Sequence, residues 1–388
     1  MTNQYYFDHA ASAPRRDEVA DAMAPWQHGV VGNPSGSHRA AREARRAVEE
    51  ARDEIASFVG AKPGGVIFTA GGTESCHLAV TGVANFHRRH HESTSIVLSR
   101  VEHTAIIDAV EANVRDHPSV SAHYVEVDSD GVLDLDSLRA AIGPDTAVVS
   151  VMTANNETGV IQPLDGVSAM AKQAATPAPL THTDAVAAAP WLDLADATAS
   201  IDMISICAHK IGGPVSSGAL ILRSDVALDA VVPGGGQERG RRGGTVDVAA
   251  AVGLATAVRL TARERADVNA RVAAYQDRLI RAFGQLEGCA ITAPGASRLA
   301  GTVHVTFEGL ASDELLFLLD QAGVCAAAAS SCSSGAAAAS HVLAAMNVAP
   351  ERARGSLRLS MGAETTSQDV DNVIVILTSV VTRLRAES

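Results

Sequence analysis

Apolar residues recur along this chain with two periods, one of about 3.6 and one of short unbroken runs. Between Ser37 and Val59, the residues Ala41, Ala44, Val48, Ala51, Ile55 and Val59 share one face of a helix, Arg and Glu cover the other, and Gly60 follows. That spacing predicts an amphipathic helix closed by a glycine. Short apolar runs at Val66–Thr69, Ile96–Ser99, Ala147–Met152, Leu180–Thr183, Met203–Ile206 and Ala219–Leu222 predict strands. Each ends near a cluster of Gly, Thr, His, Asn or Asp. Strands alternating with helices predict an α/β fold around a mostly parallel sheet. Such sheets bind ligands beyond the carboxyl ends of their strands, so the polar clusters are where chemistry is expected. After roughly Thr256 the pattern changes. A long helix with Val268, Val272, Tyr275, Leu279 and Phe283 on one stripe, a strand at Thr302–Phe307 and a helix around Asp313–Gln321 predict a second, smaller unit.

Composition narrows the picture. The chain has 388 residues, room for two such units, and is 47% apolar but only 3% aromatic, so Ala, Val, Leu and Ile must fill the core. Its 31 basic against 44 acidic residues give a net charge of −13, which argues for a soluble protein without a nucleic-acid surface. The basic runs Arg39–Arg46 and Arg239–Arg242 are local exceptions, the first read as a solvated helix face. No apolar stretch is long enough to span a bilayer, and the first residues lack a basic, apolar signal region, so a cytoplasmic location is expected. Cys76, Cys207, Cys289, Cys325 and Cys332 form no CxxC pair, which leaves free thiols rather than a disulfide framework or a zinc site.

Three segments carry candidate chemistry. Lys210, in Ala208-His209-Lys210, follows a buried strand, where an ammonium is costly unless its charge is paired or removed, as in a Schiff base. Gly71-Gly72-Thr73-Glu74-Ser75 joins a strand to a helix, and its glycines and helix N-terminus suit a phosphate. Asp184, in His182-Thr183-Asp184, ends another strand, where a carboxylate can pair with a protonated pyridine nitrogen. Singly, each has a plainer reading: an exposed loop lysine, a helix turn capped by Thr73, and a helix-capping Asp.

Their joint occurrence with further motifs, in one order, is far more specific. These include Phe7-Asp-His-Ala-Ala, Gly32-Asn-Pro-Ser with His38, Phe68-Thr-Ala-Gly-Gly-Thr-Glu-Ser and Glu102-His103. Then come Asn155-Asn-Glu-Thr-Gly with Gln162-Pro163, His182-Thr-Asp-Ala-Val, and His209-Lys210 with Gly213-Pro214. The series closes with Gly234-Gly-Gly-Gln-Glu, Arg242 and Gly244-Thr245, then Ser331-Cys-Ser-Ser-Gly with Ser340-His-Val-Leu, and Ser356-Leu-Arg-Leu-Ser. With these motifs the chain resembles the cysteine desulfurases of the class-V aminotransferase family over nearly its whole length.

The resemblance implies an enzyme with the type I fold of transferases dependent on pyridoxal 5′-phosphate (PLP). A large domain at 16–255 holds a mostly parallel seven-stranded sheet, and a smaller α+β domain combines 1–15 with 256–388. It implies that Lys210 holds PLP covalently, Asp184 pairs with the pyridine nitrogen, and His103 stacks on the ring and exchanges protons with the substrate. Gly72, Thr73 and His209 hold the phosphate, joined by Thr245 from the neighbouring subunit of a homodimer. Arg358 grips the carboxylate of L-cysteine, a task suited to guanidinium. Asn156 assists near cofactor and substrate, and Cys332 accepts the sulfur as a persulfide and hands it to an acceptor protein. A conventional reading of Cys332 as a small buried apolar residue fits its Ser-rich, Gly-flanked setting poorly.

Several positions depart from the family pattern. Ala187 replaces a glutamine that bonds the PLP phenolic oxygen, and Cys207 replaces a serine that donates to the phosphate, a thiol being the weaker donor. Cys76-His77 stands for an Asp or Asn pair, and Val215-Ser216 for Lys-Gly. Ala328-Ala329-Ser330-Ser331 replaces a glycine-containing stretch, so the Cys332 segment is expected to be more ordered than a typical carrier loop. Two rival functions stay open: a PLP-dependent lyase acting on another substrate such as selenocysteine, and a non-catalytic partner-binding scaffold. Turnover without alanine would mark the first, and purification without cofactor absorbance the second.

Overall fold

The computed structural model describes residues 4–223, 225–328 and 340–387. Its strands begin with β1 (Tyr5–Tyr6), β2 (Val66–Thr69), β3 (Thr94–Ser99), β4 (Val120–Val125), β5 (Thr146–Ser150) and β6 (Leu180–Asp184). They continue with β7 (Met203–Cys207), β8 (Gly218–Leu222), β9 (Cys289–Ile291), β10 (Thr302–Phe307), β11 (Val324–Cys325) and β12 (Ser356–Ser360).

Seven of these form one sheet in the order β2-β8-β7-β6-β5-β3-β4. Only β8 runs against the rest. Both faces of the sheet are covered, which is why its strands read as unbroken apolar runs rather than alternating ones. Successive side chains still part to opposite sides. Val66 and Phe68 enter one core with Ile204, Ile206 and Ile221, while Ile67 enters another with Met203 and Leu220. Of this sheet's strands, the one missing from the sequence reading is β4, which lies at the sheet edge, where Ser121 and His123 dilute its apolar character.

The predicted amphipathic helix runs from Arg39 to Phe58, capped by His38, with Ala41, Ala44, Val48, Ala51 and Ile55 all buried. Gly60 follows in the left-handed conformation (φ +65°) that favours glycine. The basic run along this helix is exposed at Arg39, Arg42, Arg45 and Arg46. A 36-residue helix, Val248–Phe283, starts upstream of the composition change at Thr256 and passes through it unbroken. It packs against the helices Asp17–Gln27, Arg39–Phe58 and Ser367–Glu387, and so connects the seven-stranded sheet to the sheet β12-β10-β9. The N-terminal segment pairs with the C-terminal part of the chain through β1 and β11. No helix among the described residues is long and apolar enough to cross a membrane.

Candidate active site

The carboxyl ends of β2, β3, β5, β6 and β7 open at one edge of the sheet, onto a hollow of about 450 Å³ that is partly open to solvent. Lys210, Asp184, His103, Gly72, Thr73, Asn156, His209, Cys207 and Arg358 all line it, residues that stand as far as 286 positions apart in the chain. Thr245 does not. It is exposed and lines a separate hollow with Phe68, Thr69 and Arg242. Cys332, and with it the expected order of its segment, falls outside the described residues.

Lys210 sits in a single 3-10 turn, His209–Ile211, directly after β7, and Gly212 turns the chain away in a left-handed conformation. Its Nζ donates to the carbonyls of Ala10 and Ala11. Burial pushes the ammonium's pKa down, toward the neutral amine a nucleophile needs. Asp184 ends β6, and its Oδ1 accepts from the Val186 N–H at 2.9 Å. Burial raises its pKa, opposed by the neighbouring His103. His103 caps the helix Thr104–Asp116 with its Nδ1, which accepts from the Ala105 N–H at 3.0 Å. A neutral ring in that role carries its proton on Nε2. Burial favours that neutral form by lowering the pKa.

The helix Gly72–Arg88 begins at Gly71 with no side-chain cap, and its first residues, Gly72 and Thr73, line the hollow. The backbone is tight here: a Cβ on Gly72 would meet Val186 at 2.9 Å, and one on Gly218 would meet Gly71 at 2.7 Å. Beside this turn, burial lowers the His209 pKa to about 4 and raises the Cys207 thiol to about 12, so both are uncharged at neutral pH. Their Sγ and Nε2 lie 3.9 Å apart.

Arg358, on β12, is buried, and its Nη1 donates to the Asn156 carbonyl at 2.9 Å while Nη2 donates to Asp8 Oδ1 at 2.8 Å. The two asparagines of Asn155-Asn156 divide their work. Asn155 is structural, its Oδ1 accepting from the Glu157 and Thr158 N–H groups and its Nδ2 bonding Val101 O. Asn156 faces the hollow. The chain on both sides of residues 329–339 is attached to this site. Ala327 exchanges two backbone hydrogen bonds with Arg358, Ser340 Oγ donates to Glu157, and the His341 ring bonds the Glu102 carbonyl.

Sequence reasoning gave no role to Asp8, to the Ala10 and Ala11 carbonyls, or to Glu157. Asp8 lay inside a quoted motif, but its partner is 350 positions away, a pairing that one sequence does not display. Ala187 proves to be a wall residue shared with a second crevice behind Lys210, bounded by Trp191 and Met361, so a methyl group is all it contributes between the two.

Comparison with known proteins agrees with this geometry. Residues 5–373 match the family described as Aminotransferase class-V. An IscS-like cysteine desulfurase of Mycobacterium tuberculosis (strain ATCC 25618 / H37Rv) is 42% identical over 390 residues, covering 98% of this chain and 97% of that protein. A solved NifS-like protein superposes with a TM-score of 0.90 at 30% identity, covering 99% of this chain and all of that one. The structure described as SspA in complex with cysteine gives a TM-score of 0.79 at 29% identity, over 94% of this chain and 100% of that one.

Proposed function

The chain belongs to the class-V aminotransferase family, among its cysteine desulfurases, and from that premise we propose that it converts L-cysteine to L-alanine with PLP, Cys332 carrying the sulfur away. The observation that carries this reading is the meeting of Lys210, Asp184, His103 and Arg358 in one hollow.

The residues fit PLP. A buried amine inclined to neutrality suits covalent attachment at Lys210, and Asp184 offers a buried carboxylate for the pyridine nitrogen. The uncapped helix start at Gly72 and Thr73 suits the phosphate, with His209 and the weak donor Cys207 beside it. When bound, PLP supplies an electron sink for negative charge at the substrate α-carbon.

The protein's own groups do the rest. Arg358 and Asn156 hold the substrate carboxylate and fix the amino acid's orientation. Lys210, as a free amine, takes the α-proton and returns it. His103, neutral with its proton on Nε2, exchanges a proton with the substrate thiol. The Cys332 thiolate forms a bond to the substrate sulfur as the carbon–sulfur bond breaks, so that L-cysteine and the Cys332 thiol become L-alanine and the Cys332 persulfide. Attachment of the flanking residues Ala327 and Ser340 to the site supports that assignment. The exposure of Thr245 outside its own chain's hollow supports its service to a second copy in a homodimer. A sulfur-acceptor protein completes the cycle.

The test is incubation with PLP and L-cysteine, with alanine and sulfide measured for the wild type and Cys332→Ala. Alanine from the wild type and little from the variant is the expected result. A cofactor-loaded protein that makes no alanine but turns over another amino acid would replace the substrate. Failure to bind PLP at all would revive the scaffold reading.

A further inference from the structure

Arg358 holds its charge in a nearly closed setting, its side chain only 4% exposed. A guanidinium there needs an anion, because an unpaired buried charge is strongly destabilising. Asp8 provides one, with Oδ1 2.8 Å from Nη2, while Nε has no partner among the described residues. The approach of Asp8 is built into the backbone. The residue bridges to Ser360 two positions along the same strand as Arg358, the Ser360 N–H donates to Phe7 O at 2.7 Å, and Ser360 Oγ accepts from the Ala10 N–H at 2.8 Å. Asp8 also lines the hollow itself, with Lys210 close enough to feel its charge.

We infer that Asp8 is the internal counter-ion of Arg358, keeping the guanidinium in place before substrate enters and setting, by charge competition, how tightly an amino-acid carboxylate binds. This rests on the assignment of Arg358 to the substrate carboxylate. A substrate meets a cation already neutralised, and its carboxylate must share Arg358 with a second negative group. Asp8 is therefore an affinity-setting residue that acts through Arg358 and takes no part in bond breaking.

The experiment measures binding of 3-mercaptopropionate, a carboxylate with the substrate's thiol but no amine, to the cofactor-loaded protein by calorimetry, alongside KM and kcat for L-cysteine. Asp8→Asn keeps an acceptor oxygen and removes the charge. It should tighten binding about tenfold, the order expected when one nearby like charge is removed, and lower KM in step with little change in kcat. Asp8→Glu, which keeps the charge, should stay near wild type and serves if Asp8→Asn folds poorly. Unchanged or weaker binding in Asp8→Asn, or a shift in Asp8→Glu equal to that in Asp8→Asn, overturns the inference. Arg358→Ala separates the two readings. If it abolishes binding while Asp8→Asn has no effect, only the role of Asp8 falls; if it leaves binding intact, the carboxylate site falls too.

Discussion

Buried Cys76 lies beside the carboxylate of Asp184, near enough to hold its pKa down against the effect of burial. Ser205 neighbours Cys76 as well, and its Oγ lies 2.9 Å from His182 Nε2, while His182 Nδ1 reaches Ser150 Oγ at 2.9 Å. Burial drives the His182 pKa down to about 3, so the imidazole is neutral and the network places no positive charge beneath Asp184. The thiol thus takes part in keeping a buried carboxylate ionised. Cys76→Ala removes that neighbour, lets burial lift the Asp184 pKa further, and should weaken PLP binding about fivefold, the scale of one weak polar interaction with a charged group. A fluorescence titration with PLP reads the change. An unaltered Kd would show that Asp184 stays ionised without Cys76.

Lys210 donates to two backbone carbonyls while burial lowers its pKa, a combination that orients the amine and favours its neutral, reactive form. Lys210→Ala should lose covalent PLP entirely. After borohydride reduction and denaturation, the mass of the wild-type chain should include the cofactor and that of the variant should not. Alanine formation should fall by roughly a thousandfold, in the range of a lost general base. Retention of reduced PLP on the variant would place the attachment on another residue.

Much of this architecture was legible in the chain, and the reasons differ by element. The strand bounds Val66–Thr69 and Thr302–Phe307 agree with the structure because the first is a short apolar run and the second a β-branched and aromatic segment that starts just after Gly301, and every residue of both is buried. The edge strand Val120–Val125 was not legible, since one of its sides faces outward and its polar residues break the run. The site motifs were legible as segments, and the ends of the buried strands pointed to where they would gather. What one sequence does not carry is the pairing of distant charges. Asp8 with Arg358 and Arg52 with Glu238 are satisfied only once the chain has closed.

The second of these pairs is a structural clamp. Arg52 meets Glu238 through two 2.9 Å hydrogen bonds, with side chains 4% and 3% exposed, and the same groups bond Val66 O and the Phe68 N–H of β2. Glu238 and Arg239 both hold left-handed conformations at φ +46° and +56°, which non-glycine residues adopt only when the surroundings impose them. Arg52→Met leaves a buried, unpaired carboxylate and should cost about 3–5 kcal/mol. Thermal unfolding should show the loss, and Arg52→Met/Glu238→Leu should recover part of it. A double variant no more stable than the single one would mean that the strained turn, rather than the stranded charge, is what the pair supports.

Glu157 ties stability to pH. It is buried, its Oε2 accepts from Ser340 Oγ at 2.5 Å, and burial raises its pKa to about 7 against the opposing pull of Ser340 and Arg358. In the unfolded chain the group titrates near 4.5. Between these values the folded state binds more protons than the unfolded one, so stability falls as pH rises through the window and levels off above about 7. The loss is on the order of 3 kcal/mol. Glu157→Gln keeps an oxygen for Ser340 and has no charge to bury, so its stability should be nearly flat over the same range. Urea unfolding at pH 5 and pH 8 should therefore bring the two proteins close together at the lower pH and favour the variant at the higher. Parallel curves for the two would mean that Glu157 titrates alike folded and unfolded, and that the contact with Ser340 and the pull of Arg358 offset its burial.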